Sequence, residues 1–312
     1  MVAEMKISVA MATYNGEKYI VEQLDSIRKQ SRPVDEVIIF DDCSNDSTVQ
    51  IVEEFIQNNN LSESWKIRVN EKNQGYANNF YNVLRATTGA YIFLCDQDDI
   101  WVEDRVEKML EVMEAHADIM LLGSEFEPFY VTDDAPTIGK NVLKKFVNDK
   151  SLEKITLDKQ SIFIGSEGCT MCVRRSFLDN AGTYWFDSWA HDEFLWKLAL
   201  AYNGCYIYHA TTLLRRMHSN NVSKRKMHSV EKRIRFLEQL KRSHEKMLEC
   251  MKELNSEKEL LNLVEKNAKN VELRVALLKE KKWWNCFLLL VYLPYYEYKK
   301  SYLVELKMAL LK

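Results

Sequence analysis

Asp96-Gln97-Asp98 places two carboxylates two residues apart, directly behind the apolar run Ile92–Cys95. Like charges held together behind a buried strand are costly unless a cation neutralises them. Hard divalent ions such as Mg2+ or Mn2+ take oxygen ligands and bind through carboxylates together with substrate phosphates. The competing reading is a helix cap, with Asp99 closing the start of a helix over Glu103–His116. A second acidic element, Asp41-Asp42, leads into Cys43-Ser44-Asn45-Asp46-Ser47-Thr48. An aspartate at a strand end can accept a hydrogen bond from a ring N–H, such as that of uracil or thymine. A calcium loop of EF-hand type is excluded, because the glycine and terminal glutamate of that spacing are missing. Ser44 and Asp46 read as capping residues for the helix that follows.

Such side chains need a rigid edge to hold them. Apolar runs at Ile7–Ala12, Val37–Phe40, Ile67–Val69 and Tyr91–Cys95 alternate with helical spacing at Lys18–Gln30, Thr48–Asn58, Asn78–Thr87 and Glu103–His116. Strands that are apolar throughout and joined by helices predict a mostly parallel sheet covered on both faces. Ligands of such sheets sit beyond the carboxyl ends of the strands. Three of these strands stop at polar or acidic clusters, namely Thr13–Gly16, Asp41-Asp42 and Asp96–Asp99, which points all three at one crevice.

From Asp118 the pattern becomes irregular. Short strands are predicted at Met120–Ser124, Phe163–Ile164 and Thr170–Val173, a helix within Trp185–Leu200, and one extended stretch through Tyr206–His209 and Thr211–Leu214. Ser229–Lys282 is highly charged with apolar residues at helical spacing, and Asn255-Ser256 divides it into two helices. The shift in composition at Val222 separates an α/β domain, residues 1–225, from a C-terminal helical region, residues 226–312. Within that region Trp283–Tyr296 is aromatic and apolar, with Lys281 and Lys282 before it and Lys299 and Lys300 after it. At this length it cannot span a bilayer as a helix. It suits a peripheral membrane contact, or packing on the first domain or in a homodimer.

The 312 residues are 46% hydrophobic and 29% charged, enough to bury a large core, so disorder is excluded as the dominant state. Lys and Arg number 43 against 46 Asp and Glu, and a net charge of −3 argues against a nucleic-acid binder. The 7 cysteines are odd in number and scattered through apolar segments, as expected of reduced thiols. Cys169 and Cys172 have the C-x-x-C spacing but lack the second ligand pair of a zinc site, so they read as small core residues. The start, Met1–Lys6, runs straight into a strand, so no signal peptide is expected, and no apolar run is long enough for a transmembrane helix. His116, His209, His228 and His244 have no motif around them and read as ordinary.

Taken in order, Val9–Gly16, Asp41-Asp42-x-Ser44-x-Asp46-x-Thr48, Asn73-x-Gly75 and Asp96-x-Asp98-Asp99 resemble a family 2 glycosyltransferase with the GT-A fold, over roughly residues 5–222. The resemblance implies that Thr13, Tyr14 and Asn15 line a nucleotide pocket and that Asp41 reads a pyrimidine base with Asp42 beside it. It implies that Asn73 and Gly75 lie near base and ribose, that Asp96 lies near ribose or metal, and that Asp98 is a metal ligand. Asn78 either joins the donor site or starts its helix. His191-Asp192-Glu193-Phe194-Leu195-Trp196 resembles the family's acidic motif, with His191 in place of a glutamate and Asp192 aligned with the catalytic base. Arg215-Arg216-Met217-His218-Ser219-Asn220-Asn221-Val222 resembles a segment of bacterial rhamnosyltransferase-like members. There Arg215 or Arg216 would neutralise the leaving diphosphate, and His218 would bind metal or phosphate.

The function implied is inverting, metal-dependent transfer of a sugar from a nucleotide-diphosphate donor, L-rhamnose from dTDP-rhamnose ahead of a UDP-hexose. The acceptor would be a glycan or lipid-linked oligosaccharide of a bacterial surface-polysaccharide or O-antigen pathway, at the cytoplasmic face of the membrane. Two other classes compete. A nucleotidyltransferase would show a glycine-rich phosphate loop, whereas Thr13–Glu17 has a single glycine. An inactive scaffold subunit of a glycan synthase would not need the intact Asp98 and Asp192.

Overall fold

The computed structural model describes residues 6–219, 221 and 229–310. The run Met1–Met5, the expected boundary between 225 and 226, Asn220 and Val222 of the Arg215–Val222 segment, and His228 lie outside the described residues.

Among the described residues nine strands form one sheet: β1 (Ile7–Thr13), β2 (Glu36–Asp41), β3 (Trp65–Val69), β4 (Tyr91–Cys95), β5 (Ile100–Trp101), β6 (Leu121–Tyr130), β7 (Leu152–Lys154), β8 (Cys172–Arg174) and β9 (Cys205–Met217). Its order is β3-β2-β1-β4-β8-β6-β9-β5, with β7 paired to β9. The β3-β2-β1-β4 half is parallel, and the other half mixes antiparallel pairs with the parallel β6–β9 pair. The helices are α1 (Ile20–Arg28), α2 (Thr48–Asn58), α3 (Tyr76–Ala86), α4 (Arg105–Ala115), α5 (Lys140–Leu143), α6 (Arg175–Ala181), α7 (His191–Ala201), α8 (Val230–Glu253), α9 (Lys258–Lys279), α10 (Asn285–Val291) and α11 (Lys300–Leu310).

The parallel half follows the periodicity closely. β1, β2 and β4 are apolar along almost their whole length and are buried, which is why they occupy the centre of the sheet. Order reverses between β1 and β4, since β2 and β3 lie to one side of β1 and β4 to the other. That reversal opens a crevice at the carboxyl ends. Register fixes which residues meet there: Thr13 pairs with Asp41 and Met11 with Cys95, so Asp96 emerges level with Ala12.

Two expectations fail. Phe163–Ile164 is not a strand but part of a turn in which the Phe163 N–H donates to the Gln160 carbonyl at 3.1 Å. An apolar run this short does not separate a strand from a buried turn. Asp99 is not the cap of α4, which starts at Arg105. Ile100 and Trp101 instead form β5, paired with Leu214 and Leu213 of β9, and this strand separates Asp99 from the helix.

The described residues divide into two compact units. The first draws on Met1–Ile155, Ser166–Leu195 and Gly204–Val222 and holds the sheet; the second draws on Thr156–Gly165, Trp196–Asn203 and Ser223–Lys312. In the second unit, α8 and α9 break at Asn255, which adopts φ 54°. The centre of this unit is ionic. Glu305 of α11 is fully buried and accepts from Arg274 Nη2 at 2.7 Å and Nε at 2.9 Å, and from Arg233 Nε at 2.8 Å. Arg274 lies over the Tyr296 ring at 4.3 Å. Removing one member of a buried ionic cluster leaves uncompensated charge. Glu305→Ala is therefore expected to destabilise the second unit by about 3–5 kcal/mol in chemical denaturation, and Glu305→Gln by less.

Candidate active site

The loops behind β1, β2 and β4 are tied to one another by side chains. The Asp41 carboxylate is buried and accepts from Thr13 Oγ1 at 2.8 Å, from the Ser44 N–H at 2.8 Å and from Ser44 Oγ at 2.6 Å. Ser44 Oγ in turn accepts the Asn15 N–H at 2.8 Å, and Asn15 Oδ1 accepts the Asn45 N–H at 2.8 Å. Ser44 thus binds the β1 loop to the β2 loop rather than capping α2. Asp46 does support the start of α2, accepting the Thr48 N–H at 3.0 Å. Asn15 sits at φ 50°, in the left-handed region where asparagine is tolerated. Oδ1 of Asp41 carries one of these bonds and keeps a lone pair for a further donor.

Asp42 organises the next loop. It accepts the N–H groups of Gln74 at 2.8 Å and Gly75 at 2.9 Å, and Asn70 Nδ2 at 2.9 Å. Asn73 Nδ2 donates to the Asp42 carbonyl at 2.9 Å. Gly75 has φ 81° and open space where a Cβ would lie, so backbone conformation rather than crowding selects glycine. Asn78 faces neither loop: its Oδ1 accepts the Ser188 N–H at 2.8 Å.

The loop behind β4 carries the charge. Gln97 straps it to the β1 loop, accepting the Tyr14 N–H at 2.8 Å and donating to the Tyr14 carbonyl at 3.0 Å. Asp98 Oδ2 meets His218 Nε2 at 2.8 Å. Asp99 is buried and accepts the Arg216 N–H at 2.9 Å. Carboxylate oxygens of Asp96 and Asp99 and the Cys169 sulfur all lie within 4.8 Å of one another. Burial, then the charges of Asp99 and Asp98, hold the Asp96 carboxyl well above the usual range, and Asp192 adds to this. Burial and the Asp98 charge push Asp99 up to about 7, against the Arg216 N–H. The Cys169 thiol is itself raised well above its ordinary value by burial.

The two arginines of β9 point to opposite faces, as adjacent strand residues must. Arg215 Nη1 pairs with Glu167 Oε1 at 2.8 Å, and its charge acts on Asp96 and Asp99. Arg216 lies between the Tyr19 and Phe129 rings at 4.5 and 4.6 Å, and it donates to the Asp98 carbonyl at 2.8 Å and to Glu22 Oε2 at 2.8 Å. It therefore braces the acidic loop.

Asp192 stands in the first turn of α7. Burial pushes its carboxyl up to about 6, against backbone N–H bonds of which that from Glu193 at 2.8 Å is the larger. His191 does not tune it by charge. The imidazole is stacked on Phe80, with centroids 3.7 Å apart and planes 8° apart, and burial pushes its pKa down to about 3. Gly168 lets the preceding turn approach, since a Cβ there would come within 2.6 Å of His191 Nε2. Glu167 and Arg105 carry no motif in the sequence, and the C-x-x-C spacing of Cys169 points to the core rather than to this site. Arg105 is buried and donates to the Cys169 carbonyl at 2.8 Å. Its signal is a charge on the apolar stripe of α4, beside Val106, Met109 and Met113.

The described sites fit a hard divalent cation. Asp98 offers a carboxylate with the His218 imidazole beside it, and the desolvation and repulsion that raise Asp96 and Asp99 are what such an ion relieves.

Comparison with known proteins gives the family. The sequence profile of glycosyl transferase family 2 matches residues 8–180, more than half of the chain, and the chain belongs to that family. The dTDP-rhamnosyl transferase RfbG of Shigella flexneri is 31% identical over 231 residues, covering 68% of this chain and 72% of its own. The poly(ribitol-phosphate) beta-N-acetylglucosaminyltransferase TarS of Staphylococcus aureus is 39% identical over 122 residues, 38% of this chain but 21% of that relative, so the chain spans about a fifth of it. The crystal structure of S. aureus TarS 1-349 in complex with UDP-GlcNAc has a TM-score of 0.65 at 21% identity, covering 88% of this chain and 73% of that one. Its complex with UDP has a TM-score of 0.61 at 19% identity, covering 96% and 89%. These structures share the GT-A fold with this chain, the central sheet flanked by helices.

An acid whose pKa is raised on folding weakens the folded state as pH climbs from the unfolded value towards the folded one. Asp99→Asn keeps an acceptor for the Arg216 N–H and removes a buried charge. In metal-free buffer the variant is expected to approach the parent at about pH 3, where Asp99 is mostly protonated in both states, and to gain stability progressively up to pH 8. The gain there is about 2–4 kcal/mol. Thermal midpoints measured across that range check this, and a variant less stable than the parent at pH 8 would contradict it.

Proposed function

We propose that this family 2 glycosyltransferase transfers a sugar, with inversion, from a nucleotide-diphosphate donor to a glycan or lipid-linked acceptor in cell-surface polysaccharide synthesis. The observation that carries the reading is the convergence of Asp96, Asp98 and Asp99 behind β4 with Asp192 of α7, close enough for Asp192 to raise Asp96. In this reading the donor's base and ribose lie over Thr13, Tyr14, Asn15, Asp41, Asp42, Asn73 and Gly75. Asp41 takes the base N–H on its remaining lone pair, and Asp96 faces the ribose. Arg215 supplies fixed positive charge towards the diphosphate, and Arg216 holds the acidic loop in place.

Asp98 and His218 would hold Mg2+ or Mn2+, which when bound supplies positive charge for the departing diphosphate. The acceptor hydroxyl attacks the anomeric carbon from the face opposite the diphosphate. The bond from that carbon to the diphosphate oxygen breaks, the nucleoside diphosphate leaves with the electron pair, and the hydroxyl proton passes to Asp192. A carboxylate raised to about 6 is ionised at neutral pH and more basic than an ordinary aspartate, which suits it to this transfer.

Rhamnose from dTDP-rhamnose is the first donor to test, because RfbG, a named relative, aligns over most of both chains. A UDP-linked sugar, glucose, galactose or N-acetylglucosamine, is the alternative, and the likeness to the UDP-GlcNAc complex of TarS favours it. The working site would be the cytoplasmic face of the membrane, where lipid-linked acceptors are assembled.

Donor turnover by the full chain with dTDP-rhamnose and each UDP-sugar, in Mn2+ or Mg2+, tests the reading. The rate should fall below about pH 6 as Asp192 takes up one proton. Asp192→Asn should lose about 10²–10⁴-fold in rate while still binding nucleotide. Normal rates in that variant would remove Asp192 from the role of base, and no turnover of any donor would favour a scaffold subunit.

A further inference from the structure

In the second unit, α10 and α11 turn the wrong faces to water. On α10 and the residue before it, Trp284, Phe287, Leu288 and Val291 follow the i, i+3, i+4, i+7 spacing of one helix face, and that face is outward: Trp284 is 79%, Phe287 71% and Val291 74% exposed. The opposite side, Asn285 and Leu289, is buried, and Asn285 Nδ2 donates to the Leu273 carbonyl of α9 at 3.1 Å. α11 repeats the inversion. Its buried residues are Glu305 and Ala309, while Leu303 is 66% and Leu310 73% exposed. A surface helix of a water-soluble unit presents the reverse pattern.

The two helices are neighbours. The Tyr302 hydroxyl donates to the Cys286 carbonyl at 3.0 Å, and Lys281 Nζ to the Ala309 carbonyl at 3.4 Å. Between them runs the aromatic segment Tyr292-Leu293-Pro294-Tyr295-Tyr296-Glu297-Tyr298. Charge here is one-sided. From Lys281 to Lys307 stand five lysines, Lys281, Lys282, Lys299, Lys300 and Lys307; Lys282 pairs with Glu280 at 2.6 Å, and the acids within the stretch are the exposed Glu297 and the buried Glu305, so positive charge remains in excess.

We propose that the outward faces of α10 and α11 form a docking surface for an anionic phospholipid membrane. Seven and eleven residues are too short to cross a bilayer, and no described helix is long and apolar enough to do so. The helices lie in the interface plane, with Trp284, Phe287, Val291, Leu303 and Leu310 entering the acyl boundary and the lysines meeting lipid phosphates. A second copy of the chain fits less well, because a two-fold contact sets the same lysines against one another. The inference rests on the second unit alone and stands apart from the transferase reading.

Co-sedimentation of the full chain with vesicles tests it. Phosphatidylglycerol vesicles should bind it about tenfold or more tightly than phosphatidylcholine vesicles, and 0.5 M salt should weaken the binding. Trp284→Ser with Phe287→Ser should lower binding to phosphatidylglycerol by at least about tenfold while leaving the thermal midpoint and nucleotide binding unchanged. These are exposed side chains of the second unit. Failure of the parent chain to bind phosphatidylglycerol vesicles, or equal binding by the variant, would overturn the proposal. So would a dimeric parent that becomes monomeric on the double substitution, which would assign the surface to a second copy.

Discussion

Desolvation and mutual repulsion in a crowded carboxyl cluster, in which Asp99 is buried and Asp96, Asp98 and Asp192 are half-buried, are the constraint on which the first unit depends. Asp96, Asp98 and Asp99 leave one strand within four residues, and Asp192 comes close enough to act on Asp96. In water such a cluster would be mildly unfavourable; in a poorly solvated crevice it is strongly so. The surroundings answer with Arg215, the Arg216 N–H, the His218 imidazole and the protonated Cys169 thiol. Deep in the same unit, Arg105 fixes the Cys169 carbonyl. The compensation is partial, since Asp96 and Asp99 remain shifted upward. A site left short of positive charge is one prepared to receive it from a cation. The same desolvation gives Asp192 the basicity of a group able to take a proton at neutral pH.

The sheet makes this arrangement affordable by placing it beyond the strand ends. Backbone groups of β1, β2 and β4 are satisfied by the ladder up to Thr13, Asp41 and Cys95. Past those points the loops must find other partners, and side chains provide them: Ser44 and Asn15 between the first two loops, Gln97 between the first and third, and Asp42 for Gln74 and Gly75. Residues that would serve a nucleotide are thus also the residues that hold the loops in place. Preorganisation of this kind limits the ordering left for a ligand to impose.

Much of this is legible in the sequence where physics is local. α2 and β4 fall at the expected residues because their apolar spacing and flanking turn residues agree. The acidic strand ends and the break at Asn255 are visible for the same reason, whereas Asp192 stands out only through its resemblance to the family's acidic motif. What is not visible depends on pairing between distant segments. Asp99 reads as a helix cap until β9 is known to pair with Ile100 and Trp101. Phe163 reads as strand because a buried turn and a short strand share one composition. Glu167 and Cys169 enter the site only because β8 inserts between β4 and β6. In the second unit, Glu305 looks like a surface charge until Arg233 and Arg274 are found beside it, and only then do the apolar residues of α11 stand out as exposed.

The central claim is that the crevice behind β1, β2 and β4 takes a pyrimidine nucleoside diphosphate together with a divalent cation. Thermal stabilisation of the full chain by dTDP, UDP and GDP, each with and without Mn2+, tests it most directly, because a ligand that binds the folded state alone raises apparent stability. The account predicts a shift with dTDP or UDP that grows with Mn2+ and no comparable shift with GDP. Equal behaviour of all three nucleotides, or no shift with any, would contradict it.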